Sequence, residues 1–243
     1  MVRSPERASR FAGGRRGVPR RAAGIALLSL LVLMLIAGAG MVTAAFTVDS
    51  AAPPQPAAEF APAPTAASTA QPSATAGRAA TPAPPAVSLG RSTPTRLVIP
   101  KIKVDTKLLS LGVNKDDTIQ VPDVRKQPKL AGWYKLGPSP GEIGNAVIVG
   151  HVDSKAVGPA VFFRLGSLKP GDQIKVTRAD KKVVTFRVDA VGSYPKTAFP
   201  TDLVYSPSDQ AGLRLVTCGG TFDRKKHSYQ NNIVVLATAV SAK

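Results

Sequence analysis

The sequence is poor in the residues that staple or metallate small domains. Its 243 residues include one cysteine, Cys218, and two histidines, His151 and His227. A single cysteine excludes an intramolecular disulfide, and one cysteine with two scattered histidines matches no metal-ligand spacing. No metal or other cofactor is expected. Aromatics make up 5% of the chain, with one tryptophan, and no basic run is interleaved with them. That argues against a nucleic-acid surface even at a formal charge of +17. No repeat of folding-unit length is present.

What charge there is lies unevenly. Residues 1–24 contribute +6, residues 47–91 contribute nothing, and residues 92–243 contribute +11. The first block has its explanation in a membrane. Residues 24–46, GIALLSLLVLMLIAGAGMVTAAF, form an uncharged apolar run long enough to cross a bilayer as one transmembrane helix. The pairs Arg15-Arg16 and Arg20-Arg21 flank it, so residues 1–23 stay cytoplasmic and the rest is exported. A cleaved signal peptide is the competing reading, because AGAGMVTAA offers small-residue cleavage sites. The length of the run favours a retained single-pass signal-anchor in the cell membrane. Residues 47–91 are mostly Ala, Pro, Thr and Ser and bury too little apolar area to offset their ordering entropy. They are expected to form a disordered extracellular linker lifting a domain off the membrane. The spread positive charge of residues 92–243 suits a polyanionic envelope as neighbour.

From residue 92 onward, short β-like runs alternate with Gly, Pro and Asp clusters. The runs cover residues 95–104, 145–152, 173–179, 182–194, 212–218 and 231–240. Helical periodicity is confined to stretches such as PAVFFRLGSL, residues 159–168. This pattern predicts a mostly-β barrel or sandwich. Two of the runs end on reactive side chains: AVIVG stops at His151, and LRLV stops at Thr217-Cys218. If those strands are neighbours, both side chains project at one rim.

Taken alone, Cys218 has three readings: an inert buried residue, half of an intermolecular disulfide, or a nucleophile. A nucleophile needs thiolate character, which a nearby imidazolium or guanidinium supplies. His151, in GHVDS after an apolar strand, is the candidate partner. His227 lies in the polar FDRKKHSYQ segment and reads as incidental. Arg224, six residues after Cys218, is the candidate cation for an oxyanion, provided that the loop folds it back over the thiol.

These residues resemble the sortases, membrane-anchored cysteine transpeptidases of Gram-positive bacteria. The resemblance spans residues 93–240 and rests on VIVGHVDS, VFFRLGSLKPGDQIKV, LRLVTCGGTFD and NNIVVLATA. The TCGG-x-FD and Y-x-x-N patterns look most like the actinobacterial class F group, with class E next. The resemblance implies a closed eight-stranded β-barrel for residues 92–243. It implies cleavage of an LPXTG-like sorting signal through a thioacyl-enzyme and transfer to a peptidoglycan-precursor amine of lipid II type. Carried over, Cys218 is the nucleophile, His151 the general acid, and Thr217 a residue shaping the substrate site. Two positions depart from the family pattern. Arg214 stands where the TLxTC motif has its first threonine. Asn232 stands where many members carry an arginine, which leaves Arg224 as the oxyanion candidate. Other readings are a different cell-wall cysteine peptidase or transpeptidase, or a non-enzymatic basic wall-binding module.

Overall fold

The computed structural model describes residues 52–57 and 87–243. The expected cytoplasmic segment, the transmembrane helix and most of the linker lie outside the described residues. Among those described, no helix is long and apolar enough to cross a membrane.

Among the described residues, ten strands follow in chain order. They are β1 (Pro94–Ile99), β2 (Val104–Leu111), β3 (Ala131–Tyr134), β4 (Gly144–Val149), β5 (Asp153–Ser154), β6 (Gly158–Pro159), β7 (Gln173–Arg178), β8 (Val183–Pro195), β9 (Ala211–Asp223) and β10 (Ser228–Ala242). One short helix, α1 (Thr201–Tyr205), lies between β8 and β9. Eight of the strands close a barrel in the order β1-β2-β3-β4-β9-β10-β8-β7, and β5 pairs with β6 outside it. The closed eight-stranded, mostly-β barrel expected from the sequence is therefore the fold.

Local chemistry explains where the strands differ from the sequence runs. The run 95–104 breaks because Pro100 has no N–H to give to a ladder. A 3-10 turn at Pro100–Ile102 and a left-handed Lys103 (φ 57°) reverse the chain there, so β1 and β2 become an antiparallel pair. The helical expectation over 159–168 reduces to a 3-10 turn at Leu165–Ser167. β9 and β10 run past their apolar stretches as a two-stranded ribbon closed by residues 224–227.

Alternate positions of β7 and β8 are buried, the pattern of strands with one face in a core. The interior is filled by Phe162, Phe186, Ile148, Leu213, Leu215, Ile233 and Val235. β4 is different: all six of its residues are buried. Its inward residues join this core. Val147 and Val149 point outward into a second apolar cluster with Val204, Val234 and Leu236. The β8–β9 connection lies over that outer cluster and buries it.

Arg178, 2% exposed, ties the start of the domain to the barrel. It donates to Pro140 O (2.6 Å), Gly90 O (2.5 Å) and Asp180 Oδ2 (2.9 Å). Through this contact and Leu89 N–H to Gly141 O, residues 87–91 pack on the barrel. Removing one partner of a buried charge network leaves acceptors unpaired. Arg178→Met is expected to cost about 3 kcal/mol, lowering Tm by roughly 6–12 °C for a domain of this size. A thermal unfolding curve within 2 °C of wild type, about the size of a 1 kcal/mol effect, would refute this role.

Candidate active site

The site grows from one pairing. β4 and β9 run parallel and adjacent, with Val147 opposite Arg214 and Val149 opposite Val216. Gly150 N–H continues the contact by donating to Val216 O (3.2 Å). The pairing ends there, so His151 and Cys218 each lie two residues beyond the last pair of the ladder, toward the same end of the barrel. On the other side, β10 pairs antiparallel with β9 and places Asn232 opposite Cys218, while β8 sets Tyr194 opposite Asn232. Directly paired residues share a face. Cys218, Asn232 and Tyr194 thus form one row across the outer face of the barrel, with His151 just past the end of the neighbouring β4.

Gly150 sits where backbone and core approach closely. A Cβ there would lie 2.6 Å from Phe162 Cδ2 and 2.7 Å from Val161 Cγ1. Its absence lets the buried Phe162 support the strand end that carries His151. The imidazole is oriented on its far side by Pro122 O, 2.7 Å from Nε2. A carbonyl only accepts, so Nε2 carries a proton and Nδ1 is the nitrogen free to exchange one.

Cys218 is a free, half-buried thiol. Immediately after Gly219, β9 carries a bulge. Asn231 pairs with Gly219, yet Tyr229 pairs with Phe222, so β9 has one residue too many. Gly220 absorbs it at φ +76°, a left-handed geometry that glycine adopts without strain. The bulge re-aims the ribbon so that Tyr229 reaches Asp153, two residues past His151, with OH donating to Oδ2 at 2.5 Å. Burial first, then the Asp153 bond and charge, then the charge of Cys218, push the Tyr229 hydroxyl well above the usual phenol range. Tyr229 therefore stays protonated and ties the segment after His151 to the strand after Cys218. Neither Tyr229 nor Pro122 stood out as a site residue in sequence. The Y-x-x-N spacing, which puts Tyr229 three positions before Asn232, was the available signal.

The apolar wall beside the row is held by polar side chains of the barrel. Arg214 donates through Nε to Leu203 O (3.0 Å), and Asn145 Nδ2 donates to Ser206 O (2.8 Å). Both fix the α1 segment over the outer face. Burial draws the Arg214 guanidinium below its usual range, with Asp189 opposing the shift. The departure at Arg214 thus has a structural use: it pins the wall.

Two sequence candidates lie elsewhere. Thr217 is 4% exposed and faces the barrel interior, because neighbouring residues on a strand alternate faces. Its side chain is on the opposite side of β9 from Cys218, and its hydroxyl is buried without a hydrogen-bond partner. Arg224 is exposed in the turn beyond β9. The segment between it and Cys218 is paired strand, not a loop that folds back. Asp223 Oδ1 holds that turn by accepting the Lys225 and Lys226 N–H groups. At about 3.3 Å per strand residue, Arg224 lies roughly 15–20 Å along the ribbon from Cys218.

An unpaired buried hydroxyl costs about 1–3 kcal/mol. Thr217→Val is expected to raise Tm by roughly 2–4 °C per kcal/mol recovered. A destabilised Thr217→Val protein in thermal unfolding would show that the hydroxyl has a partner it needs.

A family model described as the Sortase domain matches residues 97–240. Similar solved structures include a Clostridium perfringens sortase D5 transpeptidase, at 21% identity and TM-score 0.45, covering 61% of this chain and 79% of that one. Sortase A of Listeria monocytogenes matches at 14% identity and TM-score 0.46, covering 63% and 90%. Sortase C-1 of Actinomyces oris matches at 19% identity and TM-score 0.46, covering 60% and 73%. Among curated proteins, none gives a significant match.

Proposed function

The chain belongs to the sortase family of cysteine transpeptidases, and we propose that its chemistry runs along the row His151–Cys218–Asn232. The observation that carries this reading is the pairing of β9, which sets Asn232 directly across from Cys218 and ends β4 two residues before His151, opposite the residue two before Cys218.

In the first step the Cys218 thiolate adds to the scissile carbonyl of an LPXTG-like sorting signal. The tetrahedral adduct collapses, the C–N bond breaks, and His151 gives its proton to the departing amine. The product is a thioester on Cys218. In the second step a peptidoglycan-precursor amine, of lipid II type, attacks that thioester. His151 takes the amine proton, a new amide forms, and the thiolate leaves. Rigid strand ends suit this work because acyl transfer needs reacting atoms held near contact distance.

The oxyanion needs a donor close to the sulfur. Arg224 is the candidate from sequence, but the Asn232 side chain is the better placed, directly across the ladder from Cys218. We assign that role to Asn232. A neutral amide is a weaker partner than a guanidinium for developing charge. The finer assignments belong to the same proposal: the class F affinity of TCGG-x-FD and Y-x-x-N, and tethering to the cell membrane through residues 24–46 with the domain outside.

Cys218→Ala is expected to abolish cleavage of a sorting-signal peptide, and turnover by that variant would overturn the reading. Loss of one oxyanion donor typically costs about 10²–10³ in rate. Asn232→Ala is expected to approach that loss while Arg224→Ala stays within about threefold, since an exposed turn residue has little to lose. The reverse order in kcat would return the role to Arg224.

A further inference from the structure

Part of the domain's basic charge lines a cleft that the chemistry above does not use. The cleft, of about 410 Å³, opens between the β1–β2 turn and residues 159–164. Its floor is apolar: Ile102, Val104, Ala160 and Val161 are buried and Phe163 is half-buried. Its rim carries three exposed cations, Lys103, Lys129 and Arg164. The acid of the lining, Asp105, is already neutralised by Arg96, whose Nε donates to Oδ1 at 2.7 Å and Nη2 to Oδ2 at 2.5 Å. That bond holds the Asp105 carboxyl below its usual range, so it stays ionised and paired. Among the described residues no carboxylate pairs with Lys103, Lys129 or Arg164.

The walls stand at a fixed spacing. Thr106 Oγ1 donates to Lys129 O at 2.7 Å and so ties β2 to the opposite wall. Lys129 Nζ donates to Pro159 O at 2.6 Å, which holds the ammonium at the rim and leaves two of its three N–H donors for a ligand. Lys103 lies in the left-handed region at φ 57°, a conformation that strains a lysine and suits a glycine. Positive charge continues past the rim on the outer face of the barrel. Lys107 stands across from Arg96, and Lys175 stands across from Val98, which Asp105 flanks on its other side. Neither lysine has an ion-pair partner among the described residues.

We propose that this cleft binds a linear polyol-phosphate polymer, with phosphates at Lys103, Lys129 and Arg164 and the polyol carbons on the apolar floor. Lysine ammonium groups act as point charges that suit tetrahedral phosphate, whereas planar carboxylates favour the arginine fork. A string of separate cations leading on to Lys107 and Lys175 suits a repeating anion better than a single one. The wall at Pro159–Val161 belongs to the segment that pairs with the chain around His151. Ala160 N–H donates to Val152 O and Phe162 N–H to His151 O, both at 2.9 Å. β3 and β4 stand between β2 and β9 in the barrel order. The polymer is therefore held on the histidine side of the barrel without occupying the Cys218 strand. Its binding does not rest on the transpeptidase reading.

The test measures binding of a short poly(glycerol phosphate) to the full chain in detergent, with no peptide substrate present. The arginines of residues 1–24 also attract polyanions, so every comparison is between chains that share them. Lys103→Gly, Lys129→Met and Arg164→Met remove the rim cations. Lys103→Gly also relieves the left-handed strain, so weaker binding at an undiminished Tm separates lost charge from lost folding. Each single change is expected to weaken binding about fivefold, and the triple variant about a hundredfold. The slope of log Kd against log salt is expected to fall by about three in the triple variant. A control triple, Lys115→Met, Lys182→Met and Lys243→Met, is expected to stay within about twofold of wild type, because exposed charges beyond a Debye length are screened. Equal losses in the two triple variants would reveal diffuse attraction and overturn the site. Equal affinity for poly-glutamate of matched charge would overturn the phosphate assignment. Failure of wild type to bind the polymer, with rim-dependent binding to phosphatidylglycerol bicelles instead, would overturn the polymer in favour of a lipid headgroup.

Discussion

The parallel pairing of β4 with β9 is the constraint on which the site depends. Parallel strands run toward the same rim, so the chain just after β4 and the stretch of β9 beyond their last pair lie toward one end of the barrel. Those stretches carry His151 and Cys218, and an antiparallel pairing would put one of them at the far end of the barrel. The price is non-local structure: β5 to β8 and α1 intervene between the two strands. It is met by burying β4 on both faces, inward against the main core and outward against the β8–β9 connection. The wall beside the thiol is thus also what holds the histidine's strand in place, and Arg214 serves both by fastening α1.

A second consequence follows from the single extra residue in β9. Without the bulge, the ribbon beyond Cys218 would continue in phase and carry Tyr229 away from Asp153. With it, the two ends of the constellation are cross-linked by a short phenol–carboxylate bond. The histidine ring is held by carbonyl Pro122 O, and the segment two residues on is held by this tyrosine. The same irregularity frees the Gly220 N–H, which donates to Gln55 Oε1 at 2.8 Å.

The legible part of the sequence was the part written in periodicity and strand ends. The apolar runs leading into His151 and Cys218 announced two strands, and the family pattern announced the closed barrel. β2 and β3 were hidden for different reasons. β2 is fused in sequence to β1, with only Pro100 and the left-handed Lys103 to mark the reversal. β3 is four residues long, and its AGWY lacks any alternation. Thr217 shows the limit of motif transfer: adjacency to the cysteine in sequence means the opposite face in a strand. Arg224 shows a related limit, since a polar segment after a strand reads as loop when it is paired ribbon. The contact of Gln55 with the Gly220 N–H had no local signal, because Ala/Pro composition reports only that a segment cannot fold by itself.

The electrostatic character of the row is what these particulars determine together. Across the ladder from Cys218 stands the Asn232 carboxamide, with the Tyr194 phenol next across the sheet, and His151 follows the end of the neighbouring β4. Arg214, the arginine on the same face of β9, directs its donors to Leu203 O and Leu213 O. In the chemistry proposed above, the developing oxyanion relies on the neutral dipole of Asn232. Neutral donors compensate for lower charge only through fixed geometry, so the rigidity supplied by Gly150, Pro122 and the Tyr229–Asp153 bond becomes part of the chemistry.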